Sequence, residues 1–379
     1  MDEADAVKLY LAVAQRLEIA SGNGRLFRIG REHFCWTMDD QARQDIEMQL
    51  GSAAQLFNAP LLVNGRSIRA TLCFGVAAGD MSDPVDTANK ATLAAKRANE
   101  TGPRLAWHDD RLARDADQSV MILSEFEAAL ASGHISVVYQ PKYSLAAERI
   151  AGAEALIRWD HPERGAISPA IFVPIIEREN LMQSLTLFVL DRALTDLADW
   201  NGGGGKFGCA VNISASLLSD AGFADQAAAL VRRSGIDPAL LTFELTETAV
   251  LSSLETAAST LDRFKQLGVK LSIDDYGTGQ STLSYLKSFA ADEIKIDQSF
   301  VRLVASDNAN RIMVRSTIEM AHALGISVVA EGVEDADAMK VLRDLGCDTV
   351  QGWHIGKAMV ADAFSRLVGP EVGKAARAA

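Results

Sequence analysis

The first part of the chain alternates apolar and polar positions in a way that predicts a small α+β unit over residues 1–108. Residues 5–20 carry apolar side chains at helical spacing, and residues 25–38 form two strand-like runs around a polar turn. Asn64 and Gly65, a pair suited to a type I′ turn, separate a run at 61–63 from one predicted strand over 67–77. A helix over 85–100 and a strand over 104–108 complete the unit.

Residues 109–130 are charged and have a helical pattern with an amphipathic second half. We predict a linker helix over 109–121. A charge-rich helix between domains is most simply a solvated spacer, and a signalling role is compatible with that.

From residue 135 onward, short apolar runs alternate with helical segments. The runs are VVYQP, AGAEALIRW, FGCAVNIS, LTFELTE, VKLSIDD, EIKID, SVVAEGVE and TVQGW. This alternation predicts an α/β fold with a parallel barrel over residues 122–368, followed by a flexible tail over 369–379.

Composition narrows the function. The net charge of −13 argues against coating duplex nucleic acid, whose affinity comes from Lys and Arg on phosphates, but allows a small phosphate ligand held through metals. The four cysteines are widely spaced without a C-x-x-C pair, as expected for reduced core residues. The chain shows neither a signal peptide nor eighteen consecutive apolar residues, so we expect a cytoplasmic protein without a membrane segment.

Two adjacent carboxylates, Asp274 and Asp275, end one strand-like run and precede a turn with Gly277 and Gly279. Paired carboxylates at a strand end indicate divalent cations, since one carboxylate can bridge two ions about 3.5–4 Å apart. The alternative is a solvated turn that caps a helix.

Polar side chains also occur at or near the ends of the other runs. In a barrel these ends converge on the face where active sites form. Each residue alone could be a helix cap or a satisfied ion pair, but together they predict a functional site. The residues are Glu154, Asn212, Glu244, Asp274, Lys295, Glu331 and Gln351.

Residues 122–368 resemble an EAL domain, the cyclic di-GMP phosphodiesterase. The motifs that carry the resemblance are YQP at 139–141, EAL at 154–156, NIS at 212–214, ELTE at 244–247, DDYGTG at 274–279, KID at 295–297, EGVE at 331–334 and QG at 351–352. The resemblance implies a modified (β/α)8 TIM-type barrel with one strand reversed. It also implies hydrolysis of cyclic di-GMP to the linear dinucleotide pGpG with two Mg²⁺ or Mn²⁺ ions, and a homodimer formed through the barrel.

The resemblance assigns roles to individual residues. The metal ligands would be Glu154, Asn212, Glu244, Asp274 and Asp275, with Asp274 shared between the ions. The catalytic group would be Lys295, Glu331 and Asp275, with Lys295 orienting or deprotonating the attacking water. The alternative for Lys295 is a buried lysine paired to Asp297.

Other residues would bind substrate or support the site. The substrate contacts would be Gln140, Leu156, Arg158 and Gln351, although Gln140 and Arg158 could instead be ordinary surface or barrel contacts. Glu247 and Glu334 would stand behind the ligands and hold the turn that contains Gly277, Thr278 and Gly279. Two positions differ from the family pattern. Gln280 replaces an aromatic residue after the second glycine, and Trp353-His354-Ile355 replaces an aromatic-rich stretch after QG. These differences concern loop closure, dimer coupling and rate rather than the class of reaction.

The N-terminal unit resembles a GGDEF (diguanylate cyclase) domain, with Gly30-Arg31-Glu32-His33-Phe34 at the signature turn. Arg31 replaces a glycine, Glu32 and His33 replace the signature Asp and Glu, and the opening strand of the family is missing. We therefore expect a degenerate, partial domain that makes no cyclic di-GMP, binds nucleotide weakly or not at all, and serves in packing or dimer support.

Two other functions compete with an active phosphodiesterase. A receptor would hold cyclic di-GMP without cutting it, but receptors of this type usually lose metal or lysine positions that are retained here. A scaffold would need no converging carboxylates, so the sequence favours the enzyme.

Overall fold

A computed structural model describes residues 3–21, 25–30, 33–39, 41–79, 82–102, 104–202, 206–277 and 291–368. The chain divides into two compact units, residues 1–121 and 122–379. Within the described part of the chain, no helix combines the length and the apolar character needed to cross a bilayer.

The N-terminal unit contains three complete helices, the first half of a fourth and three two-stranded sheets among its described residues. Its elements are α1 (Glu3–Ser21), β1 (Phe27–Ile29), β2 (His33–Cys35), α2 (Arg43–Gln55), β3 (Leu61–Val63), β4 (Arg66–Ile68), β5 (Phe74–Val76), α3 (Pro84–Thr101) and β6 (Leu105–Trp107). Strands β1 and β2 form one hairpin and β3 and β4 another, whereas β5 and β6 are parallel. Arg31 and Glu32 of the predicted signature turn lie outside the described residues.

Turn chemistry explains the second hairpin. Asn64 and Gly65 have φ values of 50° and 76°, the left-handed conformation that a type I′ turn requires at both positions. The single strand predicted over 67–77 is wrong, because it is divided into β4 and β5 by an irregular segment. The short strands pack against α1 and α2 through two small apolar clusters, centred on Leu17 and Leu50.

Helix α4 (Asp110–Ser132) is one continuous helix of 23 residues. The predicted linker, residues 109–121, coincides with its first half. The boundary between the two compact units falls inside this helix, after Met121.

The second unit is a closed barrel surrounded by helices. Its elements are β7 (Ile135–Ser144), β8 (Arg149–His161), β9 (Gly165–Ile167), α5 (Pro169–Arg178), α6 (Met182–Asn201), β10 (Gly208–Asn212), α7 (Ala215–Leu218), α8 (Ala221–Ser234), β11 (Leu241–Thr246), α9 (Glu247–Leu267), β12 (Lys270–Tyr276), β13 (Glu293–Ile296), α10 (Gln298–Val301), α11 (Asn308–Ala323), β14 (Ser327–Ala330), α12 (Ala336–Asp344), β15 (Thr349–Gln351) and α13 (Ala361–Val368).

The barrel has eight strands in the order β10-β11-β12-β13-β14-β15-β7-β8, and the β8–β10 pair closes the ring. Strand β7 is antiparallel to both β15 and β8, so the barrel has the one reversed strand that the family resemblance implies, whereas the alternation of strands and helices alone predicted parallel strands. The reason is the four-residue turn over 145–148, which is too short for the crossover that a parallel pair needs. Strand β9 extends β8 outside the ring.

The ring closes where β8 and β10 meet at two glycines. Gly152 pairs with Gly208, and a Cβ atom at Gly152 would lie 2.4 Å from the Gly208 carbonyl oxygen. Only glycine permits this approach, so Gly152 keeps β8 close enough to β10 for the sheet to close.

Candidate active site

The sequence-predicted polar residues occupy consecutive strands of the ring. Glu154 lies on β8, Asn212 ends β10, Glu244 lies on β11, Asp274 lies on β12, Lys295 lies on β13, Glu331 follows β14 and Gln351 ends β15. Because β8 and β10 to β15 run in the same direction, these positions meet at one end of the barrel.

Lys295 lies at the centre of this group, with only 1% of its surface exposed. Its Nζ is 2.7 Å from Glu331 Oε1 and 3.0 Å from Asp274 Oδ2. It is also 3.1 Å from Glu244 Oε2 and 3.4 Å from Glu154 Oε2. One ammonium group therefore contacts four carboxylates.

This arrangement excludes the alternative pairing of Lys295 with Asp297. Asp297 is the N-cap of α10, where its Oδ1 accepts a hydrogen bond from Ser299 N at 3.0 Å. The side chain is therefore used in a local turn, as capping carboxylates usually are.

Two side-chain amides fix the Glu154 carboxylate. Asn212 Nδ2 donates to Glu154 Oε1 at 2.8 Å, and Gln351 Nε2 donates to Glu154 Oε2 at 2.7 Å. Gln351 Nε2 also lies 3.3 Å from Gln140 Oε1. Two residues predicted from separate motifs thus hold one carboxylate, and Gln140 contacts one of them.

The end of β12 departs from regular strand geometry at the paired aspartates. The register with β13 shifts between Ile273 and Tyr276, and Asp275 has a φ of 55°. Asp275 N donates to Asp274 Oδ1 at 2.9 Å. Such a bulge redirects side chains, so two consecutive residues can serve one site instead of facing opposite sides of the sheet.

The turn after β12 is held from the start of α9. Gly277 has a φ of 101°, and its N donates to Oε2 of the buried Glu247 at 3.1 Å. Glu334, predicted to act similarly, forms an ion pair with Arg302 at 2.8 Å. Thr278, Gly279 and Gln280 lie outside the described residues.

An open cleft adjoins the carboxylates. Of the predicted residues, its lining includes Gln140, Glu154, Leu156, Glu331, Glu334 and Gln351. The lining residues that sequence reasoning did not single out as contacts are Gln298, Arg302, Gly332, Gly352 and Trp353. Arg158 lies two residues beyond Leu156 and donates through Nη1 to Ile157 O at 2.7 Å. Trp353 is 62% exposed, with Lys357 Nζ 5.2 Å from its ring centre.

A second buried lysine, Lys142, contacts the carboxylate cluster and was not identified from the sequence. Lys142 on β7 is 7% exposed, and its Nζ lies 2.7 Å from Glu244 Oε1 and 3.4 Å from Glu293 Oε1. A signal for it was present, because side chains two apart on a strand face the same side and Lys142 is two residues after Gln140.

The electrostatics follow from burial and crowding. Burial alone would lower the pKa of Lys295, but the four carboxylates raise it well above the usual lysine value. Burial, reinforced by the charge of Glu154, raises the pKa of Glu244 to about 8. Burial also raises the pKa of Glu331. For Glu154, burial acts in the same direction, but the charges of Lys295 and Lys142 outweigh it and lower the pKa to about 2.

Two groups of oxygen ligands could hold cations. Glu154, Glu244 and Asp274 form one group, and Asp274, Asp275 and Glu331 form the other, each with its ligand atoms within 4.8 Å of one another. Asp274 belongs to both groups. Carboxylate oxygens suit hard divalent cations such as Mg²⁺ and Mn²⁺, so the donor set fits a pair of ions that share one ligand.

A model of the EAL domain family matches residues 123–358. Because this match covers more than half of the chain, the chain belongs to the EAL domain family.

Two similar proteins whose names state an activity also support membership of the EAL domain family. A cyclic di-GMP phosphodiesterase of Pseudomonas aeruginosa is 31% identical and matches 93% of this chain. The bifunctional diguanylate cyclase/cyclic di-GMP phosphodiesterase MucR of the same species is 28% identical and also matches 93%. The chain spans 61% and 52% of the lengths of these two proteins.

A solved structure agrees with the barrel. The MucR phosphodiesterase in complex with c-di-GMP superimposes with a TM-score of 0.61 at 34% identity, and the match covers 64% of this chain and 99% of that chain.

Proposed function

We propose that the barrel is a phosphodiesterase that hydrolyses cyclic di-GMP to pGpG with two divalent cations, Mg²⁺ or Mn²⁺. The observation that carries the proposal is the group of four carboxylates around Lys295, two of which, Glu154 and Glu331, line an open cleft. The named phosphodiesterases among the relatives and the MucR complex support it.

The charges of the cluster support a metal pair. Lys142 and Lys295 supply two positive charges to a site that holds the carboxylates Glu154, Glu244, Asp274, Asp275, Glu293 and Glu331. Glu154, Asn212, Glu244 and Asp274 would hold one ion, and Asp274 with Asp275 would hold the other, next to Glu331. When bound, such ions lower the pKa of water and neutralise charge on the phosphodiester.

The protein's own groups would orient the reactants. Lys295 Nζ would hold the attacking water in place and take part in the transfer of its proton, with Glu331 beside it. Gln351 and Gln140, linked at 3.3 Å, would contact the dinucleotide from the cleft, together with Leu156. Arg158 would meet a phosphate if its guanidinium turned from Ile157 O toward the ligand.

Glu247 supports the site in this proposal by holding Gly277. Glu334 would act from the rim of the cleft, where it fixes Arg302, rather than only through the turn of Thr278 and Gly279.

The N-terminal unit is proposed to be a degenerate, partial GGDEF-like domain over residues 1–108, joined by residues 109–121 to the barrel over 122–368. The match to MucR, named a bifunctional diguanylate cyclase/phosphodiesterase, supports this because it extends over 93% of the chain. In this proposal the unit lacks synthesis and contributes packing or dimer support, in a cytoplasmic protein that forms a homodimer through its barrel.

The test is incubation of the purified chain with cyclic di-GMP, with Mg²⁺, with Mn²⁺ and with neither, followed by chromatography of the products. We expect pGpG only with a cation. Binding of cyclic di-GMP without cleavage in the presence of Mn²⁺ would instead assign the protein to the receptor class. Cleavage at full rate in a metal chelator would contradict the two-ion proposal.

A further inference from the structure

A second layer of inward-facing polar side chains lies one step further into the barrel than the cation ligands. Ser272 is two residues before Asp274 on β12, and Glu293 is two residues before Lys295 on β13. Because side chains two apart on a strand point to the same side, these residues face the barrel interior beneath the site. Lys142 reaches this layer from the reversed strand β7.

The three side chains form a connected chain of contacts. Ser272 Oγ donates to Glu293 Oε1 at 3.0 Å. The same oxygen lies 3.4 Å from Lys142 Nζ, which donates to Glu244 Oε1 at 2.7 Å. Lys142 is thus held between a carboxylate of its own layer and a carboxylate of the site.

The contact divides the two oxygens of Glu244 between two lysines. Oε1 accepts from Lys142, whereas Oε2 lies 3.1 Å from Lys295 Nζ, the same atom that contacts Glu154 Oε2 and Asp274 Oδ2. These three carboxylates form one of the two ligand groups. Glu244 is 1% exposed, so bulk water cannot replace Lys142 as the partner of Oε1. Without Lys142 the buried carboxylate would be free to rotate toward Lys295.

We propose that Lys142 is a positioning residue for the cation site: by holding Glu244 Oε1 it keeps Oε2 directed at the ion bound by Glu154 and Asp274. The inference rests on the proposed two-cation phosphodiesterase. It assigns a function to a residue that does not itself contact the reacting atoms. Partners that orient metal ligands in this way commonly change metal affinity or activity by about 10–100-fold when removed.

Positioning and simple charge effects predict opposite results. Replacing Lys142 with a neutral residue removes a positive charge that is separated from the ion site only by the Glu244 carboxylate. By Coulomb's law alone, this loss would make cation binding tighter. Loss of positioning would make it weaker. The sign of the change therefore separates the two explanations.

The experiment is a titration of the full chain with Mn²⁺ and no substrate, in which electron paramagnetic resonance measures the free ion. We expect Lys142→Met to weaken Mn²⁺ binding by about tenfold or more. The Mn²⁺ concentration that half-activates hydrolysis should rise in parallel, while kcat at saturating Mn²⁺ changes less. Lys265→Met is the matched control, since Lys265 Nζ pairs with Asp292 Oδ2 at 2.6 Å and neither residue contacts the cation ligands. This control should bind Mn²⁺ like the wild type.

Unchanged or tighter Mn²⁺ binding in Lys142→Met would overturn the inference. If that variant does not fold, Ser272→Ala decides: it removes only the hydroxyl that holds Glu293, leaves all charges, and should weaken Mn²⁺ binding in the same direction by a smaller factor. Unchanged binding in Ser272→Ala would then overturn the inference. A wild-type chain that binds Mn²⁺ but does not cut cyclic di-GMP would refute the proposed function alone, and a wild type without Mn²⁺ binding would refute both.

Discussion

Lys295 determines the charge balance of the site. It is almost fully buried and contacts four carboxylates, so its ammonium group is the central counter-charge of the cluster in the described barrel. Divalent cations in the two ligand groups would supply positive charge to the same carboxylates. The lysine and the cations are therefore partly interchangeable for stability, although only the lysine can orient water through an N–H group.

We predict that Lys295→Met makes the stability of the barrel depend on metal. Removing the lysine leaves buried carboxylates without their partner, which costs about 3–5 kcal/mol when one member of a buried pair is lost. Mn²⁺ should restore most of this loss, because it binds the same oxygens, while turnover stays low. Thermal unfolding with and without Mn²⁺ measures the effect. A melting temperature without metal that equals the wild-type value would contradict the prediction.

We predict that Glu154→Ala, unlike Lys295→Met, abolishes cation binding. The change removes a ligand and the acceptor of hydrogen bonds from Asn212 and Gln351, so both Mn²⁺ binding and turnover should be lost. Gln351→Ala is the comparison, because it leaves the carboxylates in place and should mainly raise KM. Isothermal titration with Mn²⁺ and steady-state kinetics separate the two variants. Full Mn²⁺ affinity in Glu154→Ala would exclude it as a ligand.

The sequence could predict the residues at strand ends but not all their partners. The rule that strand ends converge located Glu154, Lys295 and five further polar residues, which the structure brings together. The same rule overlooked Lys142, because that side chain lies one layer deeper and on the reversed strand. The alternative that Lys295 pairs with Asp297 is wrong, because Asp297 immediately precedes a short helix and its side chain caps that helix.

At the scale of elements, barrel closure depends on the approach of β8 to β10. Gly152→Ala should destabilise the barrel by about 1–3 kcal/mol, because the new methyl group would overlap the Gly208 carbonyl. Gly51→Ala is the matched control: it lies inside α2 with open space around it and should stabilise by about 0.5–1 kcal/mol. Urea unfolding of both variants gives the signs. A neutral Gly152→Ala would show that the two strands can separate at no cost.

Gly277 in the turn after β12 can be compared with Gly235 at the end of α8. Gly277 and Gly235 both have positive φ, at 101° and 70°, so alanine at either should cost about 1–2 kcal/mol. Gly277 also bonds Glu247 and follows the paired aspartates, whereas Gly235 ends α8. We therefore expect only Gly277→Ala to lower turnover, by up to about a hundredfold. Equal turnover in the two variants would show that this turn does not position the site.

The shape of this turn also marks a limit of sequence-based prediction. The adjacent aspartates and Gly277 correctly indicated a strand that ends in a turn, while the predicted loop and helix start after Gly277 lie outside the described residues. A regular strand, however, would send Asp274 and Asp275 to opposite faces. The register shift between Ile273 and Tyr276 brings both carboxylates to the site, and alternation of apolar and polar residues carries no signal for such a bulge.

At the scale of the whole molecule, the alternation of runs predicted eight barrel strands and the family resemblance implied that one of them is reversed, but neither said that the reversed strand is the first. Alternating strands and helices favour parallel pairs, whereas the short connection between β7 and β8 requires a hairpin. That connection was visible as residues 145–148 and would have given the direction. In the N-terminal unit, β4 and β5 are each only three residues long, so pattern alone merged them.

The N-terminal unit should not make cyclic di-GMP, because phosphoryl transfer needs metal held by carboxylates and a backbone that can approach the triphosphate. In the degenerate GGDEF-like domain proposed above, Arg31 stands where bare glycine is needed, and His33 begins a strand that pairs with β1. Incubation of the full chain with GTP and Mg²⁺ should therefore yield neither cyclic di-GMP nor pGpG. GTP added to the phosphodiesterase assay should leave the rate unchanged, since Glu32 and His33 replace the signature Asp and Glu of the GGDEF-like domain proposed above. Strong activation at micromolar GTP would instead establish this unit as a nucleotide sensor for the barrel.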